Sequence, residues 1–140
     1  MITQRYFIIE PKYSDPDTFC HFIVGSDRVR ASIQIYADRC ILDEVATALL
    51  APSLKEETAR PFFVDYKDDD DLFHFFLTVL PHEGKNRCLR FCIFQGFLDD
   101  SAPFRADIRF NLTPEEAEEL ANDLKAWCAN PVYQFVWKED

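Results

Sequence analysis

Only three glycines occur in 140 residues, at positions 25, 84 and 96. A loop that cradles phosphate needs glycines at close, fixed offsets ahead of a helix, so the P-loop and dinucleotide-binding fingerprints are excluded. No Gly-x-Ser-x-Gly elbow is present, and none of the five cysteines forms a Cys-x-x-Cys pair. No two histidines fall at helical spacing. No apolar run is long enough to span a bilayer: the longest, Phe75 to Leu80, is interrupted by Thr78. The opening Met-Ile-Thr-Gln-Arg-Tyr lacks the charged and apolar regions of a signal peptide. With an odd number of cysteines and no export signal, the expectation is reduced thiols and a cytoplasmic location.

Positive charge is also scarce. Fifteen Lys and Arg stand against twenty-five Asp and Glu, a net charge of −10. An acidic surface repels phosphate backbones and anionic lipid heads, so neither nucleic acid nor membrane is expected as a partner. A basic protein would suit it, although acidity also serves solubility alone. Apolar residues make up 48% of the chain and fourteen are Phe, enough to build one core and to exclude disorder.

The pattern is one of strands joined by turns. Arg5–Glu10, Thr18–Val24, Val29–Ala37, Phe62–Tyr66, Leu72–Leu80, Arg87–Gln95, Phe104–Leu112 and Val132–Trp137 read as strands. Gly25-Ser-Asp27 carries the turn chemistry of a hairpin. Asp38 caps a helix to about Ala51, with Ile41, Leu42, Val45, Ala46 and Leu49 on its apolar stripe. Thr113-Pro114-Glu115-Glu116 is a capping box with Pro at the first helical position, and Ala117, Leu120, Ala121, Leu124 and Trp127/Cys128 form the second stripe.

Residues 29–51 and 104–126 align without a gap at an offset of 75, with seven identities: Arg30/Arg105, Ala31/Ala106, Ile33/Ile108, Glu44/Glu119, Ala46/Ala121, Leu49/Leu124 and Ala51/Ala126. Repeats decide folds. The expectation is a single α+β domain of 140 residues: mainly antiparallel, curved sheet or sheets of about eight strands, with two packed helices. An internal pseudo-twofold repeat, strands then helix, would give half-repeats 1–61 and 62–140.

Chemistry is thinly written. Asp65-Tyr-Lys-Asp-Asp-Asp-Asp71 spells a common epitope tag without its final lysine. It lies mid-chain between apolar strands and reads as a charged hairpin tip. Four consecutive aspartates with no turn glycine do not match a calcium loop. Cys88 and Cys92 on one strand would stand about 13 Å apart at roughly 3.3 Å per residue, too far for one zinc. His74, in Leu72-Phe-His-Phe-Phe-Leu, could meet Cys20, Cys88 or Cys92 across strands, but a half-buried histidine is the commoner outcome. No metal, cofactor or catalytic residue is expected.

Arginines on the wet faces of strands say more, because the rest of the chain is acidic. If the two repeat copies are neighbours, Arg30 and Arg105 share one sheet face with Gln34, Tyr36 and Arg109, and make a site for carboxylate or phosphate. Cross-strand pairing with Asp107 is the plainer alternative.

The ending Phe110-Asn-Leu-Thr-Pro-Glu-Glu-Ala-Glu-Glu-Leu-Ala is generic to many small bacterial domains. In overall style (small, acidic, antiparallel sheet with two helices) the chain resembles several classes of bacterial immunity protein and effector chaperone. The net charge of −10 and the lack of an assembled catalytic constellation set the leading expectation, non-enzymatic binding of a basic protein as a neutralising or escorting domain, and the likeness in style favours it. The competing expectation is a small-molecule or anion-binding domain on the arginine face, with or without weak enzymatic activity. A monomer is expected, or a homodimer through Tyr133, Phe135 and Trp137.

Overall fold

A computed structural model describes residues 4–11, 19–26, 29–36, 38–52, 61–63, 66–67, 71–97, 104–131 and 133–139. The chain runs β1 (Tyr6–Pro11), β2 (Phe19–Ser26), β3 (Val29–Tyr36), α1 (Arg39–Leu50), β4 (Pro61–Phe63), β5 (Tyr66–Lys67), β6 (Asp71–Pro81), β7 (Arg87–Phe97), β8 (Phe104–Leu112), α2 (Pro114–Ala129) and β9 (Phe135–Lys138). The class is α+β, and every strand pair described is antiparallel. One sheet has the order β3-β2-β1-β9. The other has the order β4-β6-β7-β8, with β5 also on β6.

Each sheet is built from a three-stranded meander, and each meander feeds a helix. The parallel between them runs down to single residues. Asp38 and Thr113, 75 positions apart, are the two N-caps. Leu42, Val45, Ala46 and Leu49 are buried on α1, and Ala117, Leu120, Ala121 and Leu124, each 75 positions on, are buried on α2. Register extends the match: Phe22 lies opposite Ile33 as Phe91 lies opposite Ile108.

Inner faces of both sheets and one stripe of each helix make a continuous core. Phe7, Ile9, Phe22 and Val24 come from the first sheet; Phe75, Leu77, Leu89, Phe91 and Ile93 come from the second. The helices are stitched across their contact by polar groups. Lys125 Nζ donates to Asp43 Oδ1 at 3.2 Å and Thr47 Oγ1 at 2.8 Å, and Arg39 Nη1 donates to the Cys128 carbonyl at 3.1 Å.

Arg5 ties four elements at one end of the molecule. Its guanidinium donates to both carboxylate oxygens of Glu139 at 2.9 Å, to the Asn111 carbonyl at 2.6 Å and to Glu116 Oε2 at 2.5 Å. Glu116 Oε1 meanwhile accepts from the Thr113 N–H, completing the capping box of α2.

Several boundaries differ from the sequence reading. Gly25 lies inside β2, opposite Tyr6 and Arg30, and not in a turn. The Tyr6 ring occupies the space a Cβ at residue 25 would need, which accounts for the glycine. Val29, expected to face inward, is half exposed at the end of β3. Residues 64–65 lie outside the described residues, and the strand expected at 62–66 is described at Pro61–Phe63 and Tyr66–Lys67, both paired with β6. They share one register, Phe62 opposite Leu77 and Tyr66 opposite Phe73. Lys67 lies opposite Leu72, so the chain does reverse at the acidic stretch; Asp65 and residues 68–70 lie outside the described residues. The last strand starts at Phe135, not at 132. Trp127 Nε1 donates to the Tyr133 carbonyl at 2.6 Å and holds the preceding segment against α2. Phe135 and Trp137 are core residues and unavailable for a dimer surface, while Tyr133 is 82% exposed.

Candidate functional site

The outer face of the second sheet carries the strongest concentration of positive charge described. Alternation along β7 turns Leu89, Phe91 and Ile93 into the core, so Arg90, Cys92 and Phe94 face outward. Pairing with β8 sets Arg90 opposite Arg109, Cys92 opposite Asp107 and Phe94 opposite Arg105. Like charges directly opposite are unfavourable. Asp107 resolves the conflict from the diagonal. It accepts from Arg90 Nε at 3.0 Å and Nη2 at 2.6 Å, and Arg109 Nε lies 3.9 Å away on its other side. Arg105 stacks over the Phe94 ring at 5.6 Å.

Two guanidiniums, Arg90 and Arg109, thus flank one carboxylate, while the third, Arg105, lies over Phe94. The Arg90 hydrogen bonds hold the Asp107 carboxyl below the usual carboxylate range. A slot of about 280 Å³ opens among Phe76, Cys92, Phe94, Arg105 and Asp107. Burial pushes the Cys92 thiol up, reinforced by Asp107, and burial likewise raises Cys88. Both sulfurs are therefore held protonated, the opposite of an activated nucleophile.

The five residues expected to form one site fall on two sheets, although Val29 at the start of β3 and Arg109 on β8 line a common recess. Arg105 and Arg109 share the face just described. Arg30 and Gln34 stand on β3, the terminal strand of the other sheet, so Arg30 and Arg105 do not share a sheet face. Matching positions of a repeat are neighbours in one sheet only when both copies enter it; here each meander builds its own. The Tyr36 backbone pairs with Phe19, and its side chain lies outside the described residues, as does that of His74. Among the described residues no group of three His, Cys, Asp or Glu is placed to hold a metal ion. His21 Nδ1 lies 3.6 Å from Glu10 at the surface.

Two buried or partly buried arginines carry no functional signal in the sequence reading. Arg5 appears there only as the start of a strand. Arg87 likewise opens a strand in the sequence reading; the signal that finds it is its period-two alignment with the inward Leu89, Phe91 and Ile93, and it is buried.

Opposite in sign is the outward side of α2. Glu115, Glu118, Glu119 and Asp123 are exposed there and make no ion pair among the described residues. No helix described is long and apolar enough to cross a membrane. Comparison with protein-family models, curated proteins and solved structures finds no match to this chain.

Proposed function

We propose that this chain is a non-enzymatic protein-binding domain of the cytoplasm that engages a basic partner through the outward face of α2. The observation that carries this reading is the carboxylate stripe Glu115, Glu118, Glu119 and Asp123. Glu115 and Glu119 are four residues apart, as are Glu119 and Asp123. Each such like-charge pair costs a helix about 0.2–0.5 kcal/mol. Near the N-terminus the helix dipole offsets this for Glu115; at Asp123 it does not. A basic surface laid on the stripe relieves the repulsion. The net charge of −10 speeds the encounter over long range. Raised thiol pKa values on the second sheet support a binding role over a nucleophilic one. All five cysteines are free thiols, in keeping with a reducing compartment. Capture of partners with wild-type bait and with a Glu118→Lys, Glu119→Lys, Asp123→Lys bait, at low and high salt, tests the reading.

A second reading is favoured by one observation: Arg90 and Arg109 share a single carboxylate, Asp107. This leaves positive charge in excess on the slot face and suits a small anion. Asp107→Asn would then raise affinity for inorganic phosphate. Because the pair is partly exposed, the loss of stability would stay under about 1 kcal/mol.

A further inference from the structure

We infer that the recess between the end of α1 and the start of α2 binds a small monocarboxylate with a short apolar tail, anchored by Arg87. This site shares only Glu118, on its rim, with the α2 stripe, and the inference does not rest on the function proposed for that stripe. Arg87 opens β7 on the inward side and is only 6% exposed. Nη2 donates to the Ala51 carbonyl at 3.0 Å; Nη1 donates to the carbonyls of Lys85 and Asn86 at 3.2 and 3.1 Å. All three acceptors are neutral. Nε is buried without an acceptor, and no carboxylate lies within ion-pair distance among the described residues. Five N–H groups and three bonds leave the hydrogen on Nε and one on Nη2. A guanidinium this deeply buried is ordinarily paired, since an uncompensated charge there is strongly unfavourable.

The space beside it has the complementary character. A recess of about 280 Å³ is lined by Arg87 and Lys85 together with Leu49, Leu50, Pro52 and Pro114. Ala117 and Glu118 line it as well as Pro114, so the recess lies beside the first turn of α2, near that helix's positive end. Nε has essentially no accessible surface, so a carboxylate reaches the Nε–Nη2 edge only after a small shift of the recess wall, and there it can accept from both nitrogens at once. Leucine and proline walls suit a short aliphatic tail. Glu118, exposed on the rim, disfavours a doubly charged phosphate, and Lys85 offsets it for a single charge.

Arg87 also closes the end of α1, so substituting it would confound binding with folding. Lys85, exposed on the turn, is the site to vary. The experiment follows the Arg87 Nε–H resonance by ¹H–¹⁵N NMR of the full chain while butyrate, inorganic phosphate or butylamine is added. The expected result is a saturable shift with butyrate, tighter than with phosphate and absent with butylamine. Lys85→Glu, with its fold checked by circular dichroism, should weaken butyrate roughly tenfold, the size of one charge-assisted hydrogen bond. A resonance unmoved by butyrate, an equal response to butylamine or phosphate, or unchanged affinity in Lys85→Glu would overturn the inference.

Discussion

The ring of Phe7 meets that of Phe91 edge-on, centroids 5.0 Å apart and planes at 69°, one ring from each sheet. Phe75 and Phe22 repeat the contact at 5.1 Å and 63° with the roles of the sheets exchanged. Phe7 stacks on Phe22 at 6.4 Å as Phe75 stacks on Phe91 at 6.2 Å. The four rings have the symmetry of the two meanders. Equivalent substitutions should therefore cost alike: Phe7→Leu and Phe75→Leu each lose about 1–2 kcal/mol and agree within roughly 1 kcal/mol. Urea denaturation checks this; a wide disagreement would show that the two halves carry the core unequally.

Arg5 and Glu116 should be coupled beyond their separate effects. Glu116 caps α2 with one oxygen and holds Arg5 with the other. Removing either partner strains both jobs. In a double-mutant cycle of Arg5→Met and Glu116→Gln, the expected interaction energy is about 1–2 kcal/mol. Additive losses would reduce the contact to a surface ion pair.

Acid should weaken the same junction. The Arg5 hydrogen bonds hold the Glu139 carboxyl below its ordinary range, and Arg90 does the same to Asp107. A carboxyl whose pKa is lower folded than unfolded contributes stability above its unfolded value, about pH 4. The contribution fades as pH falls through the folded value. Glu139→Gln should thus be less stable than wild type at neutral pH and converge with it in acid. Parallel stability curves down through pH 3 would contradict the assignment.

Gly25→Ala should displace the Tyr6 ring from the outer face of β2 without disturbing the core beneath. Loss of this aromatic cover costs about 1 kcal/mol. In a Tyr6→Ala background the same substitution should be nearly neutral. An equal cost in both backgrounds would place the strain in the backbone instead.

Legibility followed physical locality. The capping box at Thr113, both buried helix stripes and the alternation of β8 depend on residues within a few positions of one another, and the sequence states them directly. What it could not state was the partition of strands into two sheets. The repeat marked Arg30 and Arg105 as equivalent, and equivalence says nothing about adjacency. Pairing decided the site: Arg90 opposite Arg109, with Asp107 on the diagonal, is a matter of register between β7 and β8. Arg5 was invisible for a similar reason, since its partners Asn111, Glu116 and Glu139 lie more than 100 positions away.

The central claim is that the outward face of α2 is the binding surface, and a charge-reversal capture experiment tests it most directly. Wild-type bait, a Glu118→Lys, Glu119→Lys, Asp123→Lys bait and an Arg105→Ala, Arg109→Ala bait are compared in host lysate, followed by native mass spectrometry. None should carry an antibody tag that residues 65–71 could imitate. The account predicts one stoichiometric basic protein on the wild type, weakened by salt, lost from the α2 variant at unchanged melting temperature, and kept by the arginine variant. Retention by the α2 variant, or loss only from the arginine variant, would contradict it.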